Sequence, residues 1–214
     1  MINNNLKQFL LRRMPEKVHF KLSYDLPTTL EYLFSAIAAE VEYRGGTIKE
    51  SEVLNNQLRH VASWLCEDNT KNSLFLAGQC GNGKTTFLRA IQNLVTALGI
   101  KSNVSNKTFA PGLYGAKQLA TICKSNPSQW QSIINQELIV IDDIGTEPRE
   151  IVDFGNVINP IAELILYRYE ALLPAIYSTN LSPSSIAEVY GKRVADRLKE
   201  TAEIVVFSNE SYRC

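Results

Sequence analysis

A chain of 214 residues with 45% apolar content can bury a proper core, and it suits one globular domain with an appendage rather than two full domains. Its 22 Lys and Arg are balanced by 22 Asp and Glu, which excludes a histone-like positive coat and makes strong, unaided binding to duplex DNA unexpected. No apolar run approaches the roughly 18 to 20 residues of a membrane span, the four cysteines form no CxxC pair, and the two histidines lack partners at metal-ligand spacing. The expectation is a reduced, cytoplasmic protein with no membrane partner and no structural metal.

The stretch from Met1 to about Pro27 is polar, with few regularly spaced apolar residues. Leu30, Leu33, Phe34, Ile37, Ala38 and Val41 then fall at three- and four-residue steps, which predicts a helix ended by Gly45-Gly46. A second helix is written from Ser51, with Glu52 in its first turn and Leu54, Leu58, Val61 and Leu65 on one side. From Ser73 short apolar runs alternate with helical patterns, the signature of an α/β fold with a parallel sheet flanked by helices. Strands are expected at Ser73–Ala77, Leu138–Ile141, Ala175–Ser178 and Ile204–Phe207, with a weaker one between Lys101 and Phe109. Helices are expected at Lys84–Leu98, about Gly115–Lys124, Val157–Glu170, Ser184–Tyr190 and Gly191–Lys199.

The first strand runs directly into Gly78-Gln79-Cys80-Gly81-Asn82-Gly83-Lys84-Thr85-Thr86, a G-x-x-x-x-G-K-[ST] phosphate loop that opens an amphipathic helix. Glycines let the backbone curl so that successive N–H groups converge on phosphate oxygens, and the helix behind adds the positive end of its dipole. Lys84 is placed to reach the β- and γ-phosphates and Thr85 to hold Mg²⁺. The next apolar strand ends in Asp142-Asp143, at the edge where open α/β sheets bind ligands. Asp142 suits Mg²⁺ through its water shell, and Asp143 suits the attacking water, with Glu147 as a substitute because Asp143 is a short base.

Asn180 stands at the end of another strand, as either a neutral amide for the attacking water or an Asx cap for the following helix. Arg193 and Arg197 lie four apart on one helical face, opposite Val194 and Leu198. Such a pair suits a solvated face, or it meets a neighbouring subunit's nucleotide.

Together, Gly78 to Thr85, Leu138 to Gly145, Ser178-Thr179-Asn180, Tyr190 to Leu198 and Phe207 to Arg213 resemble the AAA+ ATPases of the DnaC and IstB group, bacterial replicative-helicase loaders and transposition helpers. The resemblance spans about Ser51 to Arg213; its phosphate loop is generic, whereas the Y-G-x-R-x-x-x-R-L run and the terminal S-Y-R are more specific. It implies a P-loop NTPase fold of AAA+ type, with Walker A at Gly78 to Thr85, Walker B at Asp142-Asp143, sensor 1 at Asn180 and an arginine finger at Arg197 beside Arg193. Only seven residues follow Phe207, too few for the helical lid of many AAA+ proteins, a lack that the group shares.

On this likeness residues 1–50 are a small helical N-terminal appendage, a candidate partner-binding segment, and residues 51–214 the ATPase domain. The stretch before Ser51 shows no clear match to a loader's helicase-binding domain. The implied cofactors are ATP and Mg²⁺. The implied partners are further copies of the chain, a replicative helicase or transposase, and single-stranded DNA. A small-molecule P-loop kinase would want an acceptor pocket and an arginine-bearing lid, neither of which is visible; a slow nucleotide-gated binding module would fit the short Asp143.

Overall fold

The structure, a computed structural model, describes residues 4–13, 20–68, 70–102, 108–153 and 156–212. In chain order its elements are α1 (Asn4–Leu11), α2 (Leu26–Tyr43), α3 (Glu52–Cys66), β1 (Ser73–Gly78), α4 (Lys84–Ala97), β2 (Gly112–Gly115), α5 (Ala116–Ser125) and α6 (Pro127–Ile134). There follow β3 (Ile139–Ile144), β4 (Ile151–Asp153), β5 (Asn156–Ile158), α7 (Pro160–Glu170), β6 (Ala175–Thr179), α8 (Pro183–Tyr190), α9 (Lys192–Thr201) and β7 (Ala202–Phe207).

Five strands form a parallel sheet in the order β2-β3-β6-β1-β7. Strand residues alternate between two cores, as a period of two requires. Leu74, Leu76, Leu138, Val140 and Ile176 face α2, α3 and α4, where Leu33, Leu58, Leu65, Leu88 and Ile91 are fully or almost fully buried. Phe75, Ile139, Ile141 and Tyr177 face the layer of α5 to α9, against Leu119, Leu164, Val194 and Leu198. Burial on both faces explains why the central strands read as unbroken apolar runs. Helix α2, from the expected appendage, contributes Leu33 and Ile37 to the first of these cores.

Polar caps set where several helices begin. Asp25, Ser51, Asn126, Asn159 and Ser182 each accept a hydrogen bond from a first-turn backbone N–H, and four of these helices carry proline at their first or second position. The structure corrects three expectations. The fifth strand of the sheet is Gly112–Gly115; in the expected Lys101–Phe109 segment the described residues show only an isolated antiparallel bridge, Lys101 with Thr108, and residues 103–107 lie outside the described set. The helix expected from Val157 begins at Pro160, after the Asn159 cap, and the residues before it form the antiparallel β4-β5 hairpin. Helices α1 and α6 were not expected, although Asn126-Pro127 is a start signal of the same kind.

Candidate functional site

Strand order places the site. Because β6 lies between β1 and β3, the C-terminal ends of all three open onto one edge of the sheet. The phosphate loop leaves β1 at Gly78 and enters α4 at Lys84, with Gly81 at φ 87° and Gly83 at φ 99°, left-handed values that favour glycine. The Lys84 side chain is buried, and its Nζ donates to the carbonyl oxygens of Gly78 and Gln79, both at 2.7 Å, and to Asn82 Oδ1 at 3.0 Å. A cation fixed inside the loop at a helix N-terminus makes a strongly anion-favouring position.

The loop is stitched to the chain that follows β7. Asn82 Nδ2 donates to Phe207 O at 2.6 Å, Asn209 Nδ2 donates to Asn82 O at 3.2 Å, and Gln57 of α3 donates to Asn209 Oδ1 at 3.0 Å. Tyr212 N donates to Gly81 O at 3.0 Å. The phosphate-loop motif gives no sign of these clamps, which come from residues 57 and 207–212.

Asp142 and Asp143 sit on a bulge. Between Ile141 paired with Tyr177 and Ile144 paired with Thr179, β3 carries one more residue than β6, and Asp143 takes φ 64°. An extra residue with left-handed backbone re-aims a strand's side chains, so neighbours that would alternate between faces can both serve the edge. Thr85 Oγ1 donates to Asp142 Oδ1 at 3.2 Å, and Asn180 Nδ2 donates to Asp143 Oδ1 at 2.6 Å. The fully buried Ser178 seals the bulge: its Oγ donates to Asp142 Oδ1 at 2.5 Å and accepts from Asp143 N at 2.8 Å. A hydroxyl beside a carboxylate is an all-oxygen donor pair of the kind hard Mg²⁺ prefers, so Thr85 and Asp142 fit that ion.

The structure separates the remaining candidates. Glu147 is buried and both its oxygens are engaged: Oε2 accepts from Gly145 N at 2.9 Å and Oε1 accepts from the Tyr190 hydroxyl. It buttresses the loop after β3 rather than presenting an open carboxylate, which corrects its reading as a substitute base. Burial and the facing Glu147 carboxylate push the Tyr190 phenol well above its usual range. Asn180 is not the cap of α8, because Ser182 holds that position. Thr86 follows Thr85 into the first turn of α4, half-buried.

Arg193 and Arg197 project outward over the buried Val194 and Leu198, as the spacing requires. Arg193 is 69% exposed and stands 3.9 Å from Glu170. Arg197 lies 4.4 Å from the centroid of the Tyr169 ring and pairs with Glu200 at 3.0 Å, and Tyr169 also donates to Glu200. Helix α9 ends where Ala202 pairs with Ser73, the start of β1, whereas the phosphate loop leaves the far end, where Gly78 pairs with Phe207. Six residues of strand separate those ends, roughly 17 Å at about 3.3 Å per residue, and the side-chain partners of Arg197 among the described residues, Tyr169 and Glu200, lie on α7 and α9 rather than on the loop.

No protein-family model matches the chain. Among solved structures, the DnaC helicase loader superposes with a TM-score of 0.57 at 20% identity over 74% of this chain and 92% of that one. DnaI superposes at 0.59 with 16% identity over 92% and 97%. The fold is that of the AAA+ P-loop NTPases. The replication initiator DnaA bound to AMPPCP and single-stranded DNA is similar at TM-score 0.52 and 17% identity, over 76% of this chain and 49% of that one. In sequence, the chain is 27% identical over 154 residues to the replication factor C large subunit of Picrophilus torridus, a match to 70% of this chain that spans 36% of that protein. Among the described residues no helix is long and apolar enough to cross a membrane.

Proposed function

We propose that the protein is an ATP-hydrolysing AAA+ machine of DNA replication that resembles the DnaC-type helicase loaders and works in the cytoplasm. The observation that carries this reading is the convergence of Lys84, the Thr85–Asp142 pair and the Asp143–Asn180 pair on one sheet edge, from three separate strand ends. Those parts suit binding and hydrolysis of a nucleoside triphosphate, and the similarity to a helicase loader and to a DNA-bound initiator supports the pathway.

In this mechanism the loop N–H groups, with Gly78, Gly81, Asn82 and Gly83 shaping them and Thr86 closing the first turn, hold the α- and β-phosphates, and Lys84 exchanges its carbonyl partners for phosphate oxygens. Thr85 and Asp142 hold Mg²⁺, which neutralises charge on the β- and γ-phosphates when bound. Asp143, oriented through Asn180, accepts the hydrogen bond of the attacking water and receives its proton as the water adds to the γ-phosphorus and the bond to the β,γ-bridging oxygen breaks. Arg197 acts in trans, with Arg193 beside it, on the triphosphate of a neighbouring copy. The DNA-bound partner is a replicative helicase, with single-stranded DNA as the track. A transposase in its place would make the protein an IstB-like helper of a mobile element.

The test is steady-state ATPase activity with and without single-stranded DNA, alongside calorimetric ATP binding. Mg-dependent turnover that rises with DNA and with protein concentration, and loss of ATP binding in Lys84→Ala, are the expected results. Wild-type affinity for ATP in Lys84→Ala would reduce the phosphate loop to a turn.

A further inference from the structure

Arg193 and Arg197 lie on one face of α9, yet their surroundings differ. The Arg193 side chain is 69% exposed, whereas Arg197, one turn farther on, is 36% exposed and its guanidinium lies down on α7. Its Cζ is 4.4 Å from the centroid of the Tyr169 ring, within the roughly 6 Å of a cation–π contact, and its Nη1 donates to Glu200 Oε2 at 3.0 Å. Tyr169 completes a triangle, because its hydroxyl lies 3.1 and 3.2 Å from the two oxygens of the same carboxylate. The ring covers one face of the guanidinium while its own hydroxyl holds the carboxylate that ties the guanidinium edge.

An exposed ion pair within one turn is weak by itself, but here three side chains from two helices hold one another. The contact also competes with a phosphate. Carboxylate and phosphoryl oxygens seek the same planar fork of N–H donors, so an edge given to Glu200 is withheld from a neighbour's triphosphate. The carboxylate beside the finger repels that triphosphate as well. Release leaves Glu200 a second cation: Tyr169, Glu200 and Lys71 line one cavity of about 460 Å³, and Lys71 Nζ donates to the carbonyl of Lys199, the residue before Glu200, at 2.6 Å.

From this geometry we infer that Tyr169 and Glu200 are positioning residues that sheathe Arg197 in the isolated chain, and that a neighbouring copy's triphosphate draws the finger out by displacing Glu200. The inference rests on the trans reading of Arg197 above. Sheathed and extended fingers are two states of one side chain, and only the extended state acts on a neighbour. Apparent affinity between copies is therefore reduced to the competent fraction.

Turnover of the full chain at saturating Mg-ATP, followed against protein concentration, tests it. An exposed ion pair biases such an equilibrium by about 1.5- to 5-fold, and an exposed cation–π contact by about 2- to 5-fold. Glu200→Gln should lower the concentration of half-maximal turnover by the first factor and Tyr169→Leu by the second, both with the plateau rate per subunit unchanged. A second readout needs no nucleotide. NMR of the arginine-labelled chain should show the Arg197 side chain shifted by the Tyr169 ring current, with the shift reduced in Glu200→Gln and lost in Tyr169→Leu, while unchanged core resonances certify the fold. An unchanged or higher half-maximal concentration in either variant would overturn the proposal. So would a lower plateau, which would make the two residues parts of the acting finger, or the absence of the ring-current shift in the wild type. Turnover that still rises with concentration in Arg197→Ala as it does in the wild type would instead refute the trans reading on which the proposal stands.

Discussion

Ser178→Ala isolates the bulge that carries the two carboxylates. The hydroxyl is completely buried, accepts from Asp143 N and donates to Asp142. Deleting it strands a backbone N–H, a loss of about 1–3 kcal/mol for a buried donor without a partner. The bond to Asp142 contributes less than its charge suggests, because that carboxylate is only half-buried and water can replace the hydroxyl. A net destabilisation of about 2 kcal/mol follows, or roughly 4–8 °C in Tm for a chain of this size. The functional effect should exceed the stability effect at assay temperature. Once the seal is gone, the left-handed Asp143 can relax toward ordinary strand geometry and withdraw its carboxylate from Asn180. ATP binding should stay within about threefold, since the phosphate loop is untouched, whereas single-turnover hydrolysis should fall by about ten- to hundredfold, as misplacement by an ångström does. Thermal melts, calorimetry and rapid-quench hydrolysis read the three quantities separately. Hydrolysis at the wild-type rate in a variant that shows the expected drop in Tm would refute the idea that the bulge places Asp143 for chemistry.

The two carboxylates should part in their effects: Asp142→Asn should weaken Mg²⁺-dependent ATP binding, and Asp143→Asn should leave binding intact and slow turnover, both measurable by titrating Mg²⁺ in binding and rate assays. Glu147→Gln should spare the chemical step in single-turnover experiments, and slower chemistry there than in Asp143→Asn would reverse the assignment. Tyr190→Phe leaves Glu147 Oε1 without its donor and should cost about 1–3 kcal/mol in denaturant unfolding. Because the Tyr190 phenol ionises later in the folded state than in the unfolded one, its contribution is complete below about pH 10 and is lost as pH rises beyond that, so the gap between wild type and Tyr190→Phe should narrow in melts above pH 10. Arg197→Ala should keep nucleotide affinity but lose the rise of turnover with protein concentration, a rise that a trans finger typically makes about 10³ to 10⁵ in rate; mixed with Lys84→Ala subunits it should regain part of that activity, and mixed oligomers without any recovery would refute the trans assignment.

Four strands of the sheet were legible because each is an apolar run too short for a helix and bounded by turn residues, and the phosphate loop was legible because its glycines and lysine fall at invariant spacing within nine residues. Gly112–Gly115 was not, since two glycines flanking Leu and Tyr carry almost no strand signal; pairing with β3 makes it a strand. The β4-β5 hairpin was hidden in the same way, its Asn156-Val157-Ile158 run merging into the pattern of α7 until Pro160 is given its weight as a first helical residue. At the site, residue types were readable but partners were not. Glu147 and Asp143 are both acids near the end of one apolar run, and what separates them is Tyr190, forty-three residues from Glu147 and in hydrogen-bond contact with it. Ser178 carried no signal beyond its place in a short motif, because its importance comes from a bulge on a different strand.

Inserting β6 between β1 and β3 largely determines the rest. Neighbouring strands lie about 4.8 Å apart, so the phosphate-loop strand and the acidic strand stand nearly 10 Å from each other, too far for Asp143 to touch a residue of β1 directly. Whatever ends β6 must line the floor of that gap. Ser178 and Thr179 end it and Asn180 follows, and each is engaged there: Ser178 with both aspartates, Thr179 with Ile144 O at 2.8 Å, and Asn180 with Asp143. An apolar ending to β6 would leave the extra N–H of the bulge without a partner and Asp143 without an orienting amide. The polar S-T-N triplet is therefore a consequence of strand order: with β6 in the middle, its last two residues and the Asn180 that follows stand between the cation of the phosphate loop and the carboxylates of β3.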